Sequence, residues 1–239
     1  MIVNSPADNT DAEELRKFEQ LASDWWNPAG SLKTLHIINP VRLAYIRERC
    51  DLANSKVLDI GCGGGLLSEA MCQSGARVTG LDANENLVQI AREHAQSANL
   101  NIDYVAATAE EFAENNKAEF DLVTCMELLE HVPDPASVLS ACTSLLKPGG
   151  EIVLATLNRN LRSYASAILA AEYMLKLVPR GTHEYAKFLR PSEIARDLRQ
   201  RGYRVTDISG MHYIPLIDHC FLNRDPGVNY LLHARRLAS

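Results

Sequence analysis

The sequence predicts an α/β fold, a doubly wound and mostly parallel sheet with helices on both faces. Three observations predict it. Short apolar runs alternate with helix-like segments from Lys56 to Leu157. A glycine-rich turn, Gly61-Cys62-Gly63-Gly64-Gly65, separates the run Lys56–Ile60 from a stretch of good helix formers, Leu66–Cys72. A second strand-like run, Arg77–Asp82, ends in an acid 21 residues after Gly61. Sheets of this kind bind ligands at the carboxyl ends of their strands. Gly61, Asp82, Glu110 and Met126 all fall at such ends.

Taken in order, residues 1–10 are polar, and Asp11 to Ser23 reads as a helix with Leu15, Phe18, Leu21 and Ala22 at helical spacing. Trp25-Trp26-Asn27-Pro28-Ala29-Gly30 ends it. The paired tryptophans read first as packing at the edge of the core, and second as a roof over an aromatic ligand. Asn39-Pro40 reads as the N-cap and first residue of a second helix, running to about Cys50 and carrying Arg42. On pattern alone Arg42 is a solvated surface residue.

Beyond the glycine turn, Glu85 to Ala98 is an amphipathic helix. Ile102 to Ala107 is a strand, Thr108 to Phe112 a capped helical turn, and Phe120 to Met126 a strand. After the turn Glu127–Pro135, Ala136 to Leu146 is a helix; Lys147-Pro148-Gly149-Gly150 breaks it, and Glu151 to Leu157 is the next strand. Asn158 to Tyr185 interrupts the alternation, and a helix at Pro191–Arg201 and strands at Tyr203–Ser209 and Val228–Arg235 complete the chain. Residues 1–239 thus read as one domain, with a helical cap at 1–50 and an insertion for substrate or membrane at 158–190.

Composition excludes several classes. The net charge of −6 gives no general attraction to nucleic acid or anionic lipid. No uncharged apolar run is long enough to span a bilayer, and the N-terminus lacks a basic segment followed by an apolar one. The six cysteines contain no C-x-x-C pair, which fits reduced thiols in the cytoplasm.

The glycine turn points to a nucleotide-like ligand, because helix N–H groups aim at whatever sits above the sheet. It departs from the dinucleotide pattern, since Leu66 stands where the third glycine belongs. Asp59 at the end of the first strand would repel a pyrophosphate but attract an ammonium group. Asp82 suits ribose hydroxyls and tells against a 2′-phosphate. An amino-acid end, a ribose and no phosphate describe S-adenosylmethionine. Asp59, Gly61, Gly63 and Asp82 are its candidate ligands. The plain alternative is a glycine turn kept for strand–helix packing.

At this point the chain resembles a class I S-adenosylmethionine-dependent methyltransferase, and in particular the ubiquinone-biosynthesis O-methyltransferase family. The resemblance rests on Trp25-Trp26, on Leu35-His36-Ile37-Ile38-Asn39-Pro40 with Arg42, and on the glycine turn. It continues with Cys125-Met126-Glu127, Glu130-His131-Val132-Pro133-Asp134-Pro135, Thr156-Leu157-Asn158-Arg159, Ala171-Glu172-Tyr173, and Pro179 with Gly181-Thr182-His183. It implies a seven-stranded sheet with an antiparallel last strand. It further implies methylation of polyprenylated phenol hydroxyls at two steps of the pathway, other pathway enzymes as partners, and a cofactor site lined by Arg42, Gly61, Asp82 and Met126. Pro215 to Gly227 matches less clearly.

Methyl transfer to a phenol needs help with the proton, because a phenol titrates near ~10. Glu127, Glu130 and His131 stand at i, i+3 and i+4, on one face if the turn is helical. They could hold Mg²⁺ or another divalent cation, to which a catechol-like substrate would bind. Alternatively His131 alone is the base, and the glutamates cap the following helix or face solvent; His131 and Glu130 are the catalytic candidates. His183 is a further base candidate, or an anchor of the insertion. Leu161 to Val178 reads as an amphipathic helix that touches membrane or a polyprenyl tail, or as a lid. Three other functions compete: a methyltransferase for another small acceptor, a non-catalytic S-adenosylmethionine-binding assembly protein, and an NAD-dependent oxidoreductase.

Overall fold

The computed structural model describes residues 9–160, 163 and 187–236. Its centre is one sheet of eight strands in the order β3-β2-β1-β4-β5-β8-β6-β7. These are β1 Lys56–Ile60, β2 Arg77–Asp82, β3 Asp103–Ala106, β4 Phe120–Met126, β5 Leu146–Leu157, β6 Tyr203–Ile214, β7 His219–Asn223 and β8 Asn229–Arg236. The first five pair in parallel. β8 is antiparallel to both β5 and β6, so β6 again points with the first five. β7 folds back on β6 at the sheet edge.

Helices cover both faces. α2 Lys33–Arg49 and α3 Leu66–Gln73 lie on one; α5 Ala109–Asn115, α6 Pro135–Leu145 and α7 Pro191–Gln200 lie on the other. The alternation of side chains along β1 sets this up: Val57 belongs to the cluster that holds Ile38, Tyr45 and Met71, and Leu58 to the one that holds Val138, Leu139 and Ile194. α1 Ala12–Leu21 and α4 Glu85–Ser97 complete the set. Caps follow the sequence chemistry: Asp11 accepts from Glu13 and Glu14 N–H, Asn84 from Asn86 and Leu87, and Thr108 with Glu111 forms a capping box.

Two expectations need correction. The sheet has eight strands rather than seven, because the stretch after Pro215 supplies β7, paired with β6 from Gly210↔Asn223 to Ile214↔His219. The second helix begins at Lys33, so Asn39 is no N-cap and Pro40 lies inside it. Proline removes one backbone bond there. Burial of Ile38, Tyr45 and Ile46 holds the helix through it, and Asn39 turns inward to donate from Nδ2 to Leu66 O at 3.1 Å.

The segment after β5 leaves and returns at one place. Leu189 N–H donates to Leu157 O at 3.1 Å, while Asn158 Nδ2 and Asn160 Nδ2 hold Pro226 O and Gly227 O at 2.8 and 2.7 Å. Both ends of the insertion are therefore fixed at the carboxyl end of β5. The helix expected at Leu161–Val178 and the base candidate His183 lie outside the described residues, Ser163 excepted.

Candidate functional site

The carboxyl ends of β1, β2 and β4 meet α1 and α2. The glycine turn follows β1 with positive φ at Gly61, Gly63 and Gly65. At Gly63 two constraints coincide: φ is +53°, and a Cβ would come within 2.3 Å of the Trp25 ring. Trp25 thus lies flat on the turn. Trp26 donates from Nε1 to Gly64 O at 3.0 Å and stacks on His94 with ring centroids 3.4 Å apart. His36 Nε2 reaches Trp25 O at 2.9 Å. The tryptophans therefore pack, as the first reading had it, against the glycine turn.

Asp82 fastens the turn from below. Its Oδ2 accepts from Gly63 N–H at 2.9 Å and its Oδ1 from Asn84 N–H at 2.8 Å. Burial pushes its carboxyl above the usual range, against these two N–H donors. Each carboxylate oxygen keeps acceptor capacity beyond one bond, which ribose hydroxyls can use. Asp59 is fully interior, and its oxygens are taken by Ser68 Oγ at 2.6 Å and Thr124 Oγ1 at 2.7 Å. Burial raises it too. Its direct structural work is to bind the start of α3 to β4.

Arg42 is buried, at 6% exposure, contrary to the surface position its pattern suggested. Its Nη2 lies 2.6 Å from Glu127 Oε1, and its buried Nε has no hydrogen-bond partner among the described residues. Glu127 sits at φ +53°, directly after Met126. Burial alone would raise its carboxyl, but the Arg42 guanidinium, with the Asn229 amide at 2.9 Å, brings it below the usual value. Left-handed backbone here turns the chain from β4 into a 3₁₀ turn at Leu129–His131.

That turn buries Glu130, which accepts from Thr156 Oγ1 at 2.7 Å. Burial raises its carboxyl, the Glu127 charge adding to the rise and His131 opposing it. His131 Nδ1 lies 2.8 Å from Glu14 Oε2, with Phe18 edge-on to the ring at 5.3 Å. Burial lowers the imidazole, yet Glu14, Glu130 and Glu127 together hold it above its ordinary value. Glu14 falls to about 2, chiefly through its bond to His131.

Arg42, Glu127, Glu130 and His131 are thus brought into one charged cluster beside Met126, with Gly61 and Asp82 at the neighbouring strand ends. The helical i, i+3, i+4 face is absent, since the left-handed Glu127 stands outside the 3₁₀ turn. Among the described residues, the donors of Glu127, Glu130 and His131 do not converge as a three-ligand metal set. Glu14 and Asn229 were invisible to sequence reasoning, and Thr156 was marked only by its place in a stretch that carries the resemblance. Glu14, Thr156 and Asn229 come from segments 117, 26 and 102 residues away from their partners, and no local pattern pairs them.

Residues 35–208 match the family model described as a methyltransferase domain. The chain is 52% identical over 231 residues to the ubiquinone biosynthesis O-methyltransferase of Aromatoleum aromaticum, covering 97% of this chain and 99% of that one. The chain belongs to the ubiquinone biosynthesis O-methyltransferase family. Its relative of that name from Saccharophagus degradans is 49% identical, over 96% of this chain and 98% of the other, and that from Coxiella burnetii is 51% identical over 93% and 95%. Among solved structures, the magnesium protoporphyrin IX methyltransferase of Synechocystis PCC 6803, with bound SAH, superposes with a TM-score of 0.68 at 18% identity, covering 95% of each chain. A SAM dependent methyltransferase from Aquifex aeolicus superposes at 0.61 and 12% identity, covering 93% and 98%. These likenesses show the class I methyltransferase fold. The protein is an S-adenosylmethionine-dependent O-methyltransferase.

The residues present fit that cofactor. The glycines of the turn add no side chain of their own, Asp82 keeps acceptor capacity that hydroxyls could use, and Arg42 carries a buried N–H group still seeking an acceptor. Arg42 and Met126 would hold the amino-acid end and Asp82 the ribose. The bound cofactor supplies an electrophilic methyl group on a sulfonium.

Proposed function

We propose that this enzyme methylates phenolic hydroxyls of polyprenylated ubiquinone precursors, 2-polyprenyl-6-hydroxyphenol and 3-demethylubiquinol. The observation that carries this reading is the 52% identity, across almost the whole chain, to an enzyme named for O-methylation in ubiquinone biosynthesis. The site supports it. Displacement at a sulfonium needs an oxygen held in line, a dry site and a proton acceptor. His131 is the base in our reading: Glu14 fixes its ring through Nδ1 and stabilises the imidazolium formed when it takes the phenol proton. Glu130, buried beside it, adds negative charge that favours the same form.

The test is an assay of the purified enzyme with S-adenosylmethionine and a short-tailed demethylated quinol in detergent. The expected result is one equivalent of S-adenosylhomocysteine per methoxy group formed. Cofactor binding with no product from any phenolic lipid would leave a binding protein, and turnover only on an unrelated acceptor would replace the substrate.

We further propose that the enzyme works in the cytoplasm and reaches its substrate at the membrane face through residues 161–178. No helix among the described residues is long and apolar enough to cross a bilayer, and all six cysteines are unpaired. A polyprenylated phenol stays in the bilayer, so contact must be peripheral. Ile168→Glu with Leu175→Glu should release the protein from vesicles while sparing cofactor binding. A wild type that never sediments with vesicles ends this part of the reading.

A further inference from the structure

At the other end of the sheet, three metal-type donors converge that the methyl-transfer site does not use. Cys50 caps the C-terminus of α2, Glu151 lies midway along β5, where its pairing with β8 begins, and His233 lies on β8. Glu151 pairs with Leu122 near the start of β4, whereas the site residue Met126 pairs with Ala155. In the antiparallel register Glu151 opposes Arg235 and Val153 opposes His233, so Glu151 and His233 are diagonal neighbours on one face. The end of α2 packs on that face and brings Cys50 to both.

The spacing is that of ligands around one ion. Cys50 Sγ lies 3.7 Å from His233 Nε2, His233 Nε2 lies 3.5 Å from Glu151 Oε2, and all three donor atoms fall within 4.8 Å of one another. Donors on a tetrahedral zinc, at bond lengths of ~2.0–2.3 Å, sit roughly 3.4–3.6 Å apart. Cys50 and His233 are buried, so these groups meet away from bulk water.

The imidazole is also held as a ligand would be. Between Val205 and Asp207 the β6–β8 register shifts, and the extra residue is Thr206. Its hydroxyl lies 2.6 Å from His233 Nδ1 and donates to His233 O at 3.2 Å. In the ligating tautomer the hydroxyl donates to the carbonyl and accepts from Nδ1–H, which turns the Nε2 lone pair toward Cys50 and Glu151. Such an outer partner that fixes the tautomer is typical of ligating histidines. Glu151 divides its oxygens: Oε1 takes Arg235 Nε at 2.5 Å, and Oε2 faces the cluster. Without a cation, the Glu151 carboxylate draws hydrogen bonds from the Cys50 thiol and from the His233 imidazole, 3.5 Å away; a cation would take the place of those protons.

We propose that Cys50, Glu151 and His233 form a binding site for a zinc-type divalent cation, tying the end of α2 to β5 and β8. A thiolate, an imidazole and a carboxylate are a zinc set rather than a magnesium set. Coordination replaces the Cys50 S–H proton by the metal and releases that proton to solvent. Burial keeps the free thiol protonated, so the metal must displace it.

The experiment is a Co²⁺ titration of the chelator-treated, full-length protein, read by absorbance, with Zn²⁺ then added. The proposal expects a thiolate-to-cobalt charge-transfer band saturating at one equivalent and bleached by Zn²⁺. Cys50→Ser should abolish the band while leaving methyl transfer unchanged, because Cys50 lies outside the catalytic cluster. Glu151→Gln should weaken Co²⁺ by on the order of tenfold or more. Zn²⁺ should raise the melting temperature of the wild type and not of Cys50→Ser. A folded wild type with no saturable band overturns the proposal, and so does a band that persists in Cys50→Ser. Should Cys50→Ser fail to fold, an unchanged cobalt affinity in Glu151→Gln overturns it.

Discussion

Arg42 Nη2 lies 2.6 Å from Glu127 Oε1, joining the interior of α2 to the left-handed residue that ends β4. Both partners come from the stretches that carry the family resemblance, and they lock each other in place. Removing one partner of a buried pair leaves the other charge uncompensated, at a cost of roughly 3–5 kcal/mol. Arg42→Met should lower unfolding stability by that order and weaken S-adenosylmethionine. The double variant Arg42→Met/Glu127→Gln should regain part of the stability without the affinity. Chemical denaturation and calorimetric titration separate the two effects; equal stability in the single and double variants would contradict the pairing.

Asp82 holds Gly63 N–H and stands where a ribose is expected, so it has two duties. Asp82→Asn and Asp82→Ala should weaken S-adenosylmethionine by about 1–3 kcal/mol, the cost of leaving polar partners unpaired. Calorimetric titration of folded variants checks this. Unchanged affinity would leave Asp82 as only an anchor for the glycine turn.

The parallel core of the fold was legible because its signals are local: apolar runs, glycine at the turn, and acids and caps at fixed offsets. β7 was not, because its pattern, buried only at Cys220 and half-buried at Leu222, is that of an edge strand. Pro40 misled for a related reason, since a proline with a good N-cap residue before it is a start signal unless tertiary packing overrides it. For the site, Asp82 and the glycine turn were legible from spacing. The burial of Arg42 was not, because α2 has no dominant apolar face and its buried residues include the polar Asn39 and Arg42. Glu14 could not have been found, because only the fold brings α1 to His131.

Glu130 is buried, raised above its ordinary value and bonded to Thr156, between Glu127 and His131. Glu130→Ala should reduce kcat by on the order of 10²–10⁴, the range for a lost acid–base contribution, while S-adenosylmethionine affinity changes little. Single-turnover assays with saturating cofactor make the comparison. A variant that keeps wild-type kcat would remove Glu130 from the chemistry.

The Glu14–His131 contact makes the docking of α1 depend on pH from both sides. Glu14 titrates at about 2 in the folded protein against an ordinary 4.5, so its contribution is present above 4.5 and is lost as pH falls toward 2. His131 is raised above 6.5, so its contribution is complete below 6.5 and is lost as pH rises through the folded value. Stability from the pair is therefore greatest between these limits. Glu14→Gln keeps the shape of the contact and removes its charge. It should lower the folded pKa of His131, flatten the alkaline loss of stability, and cost about 1–3 kcal/mol near pH 6. If His131 is the base, the same variant moves the acidic limb of the kcat profile to lower pH, because the imidazole then becomes available as a neutral acceptor sooner. Urea midpoints at several pH values, imidazole shifts by NMR and the kcat profile read the three effects. A His131 pKa that stays put in Glu14→Gln would mean that Glu130 and Glu127, not the N-terminal helix, set its charge.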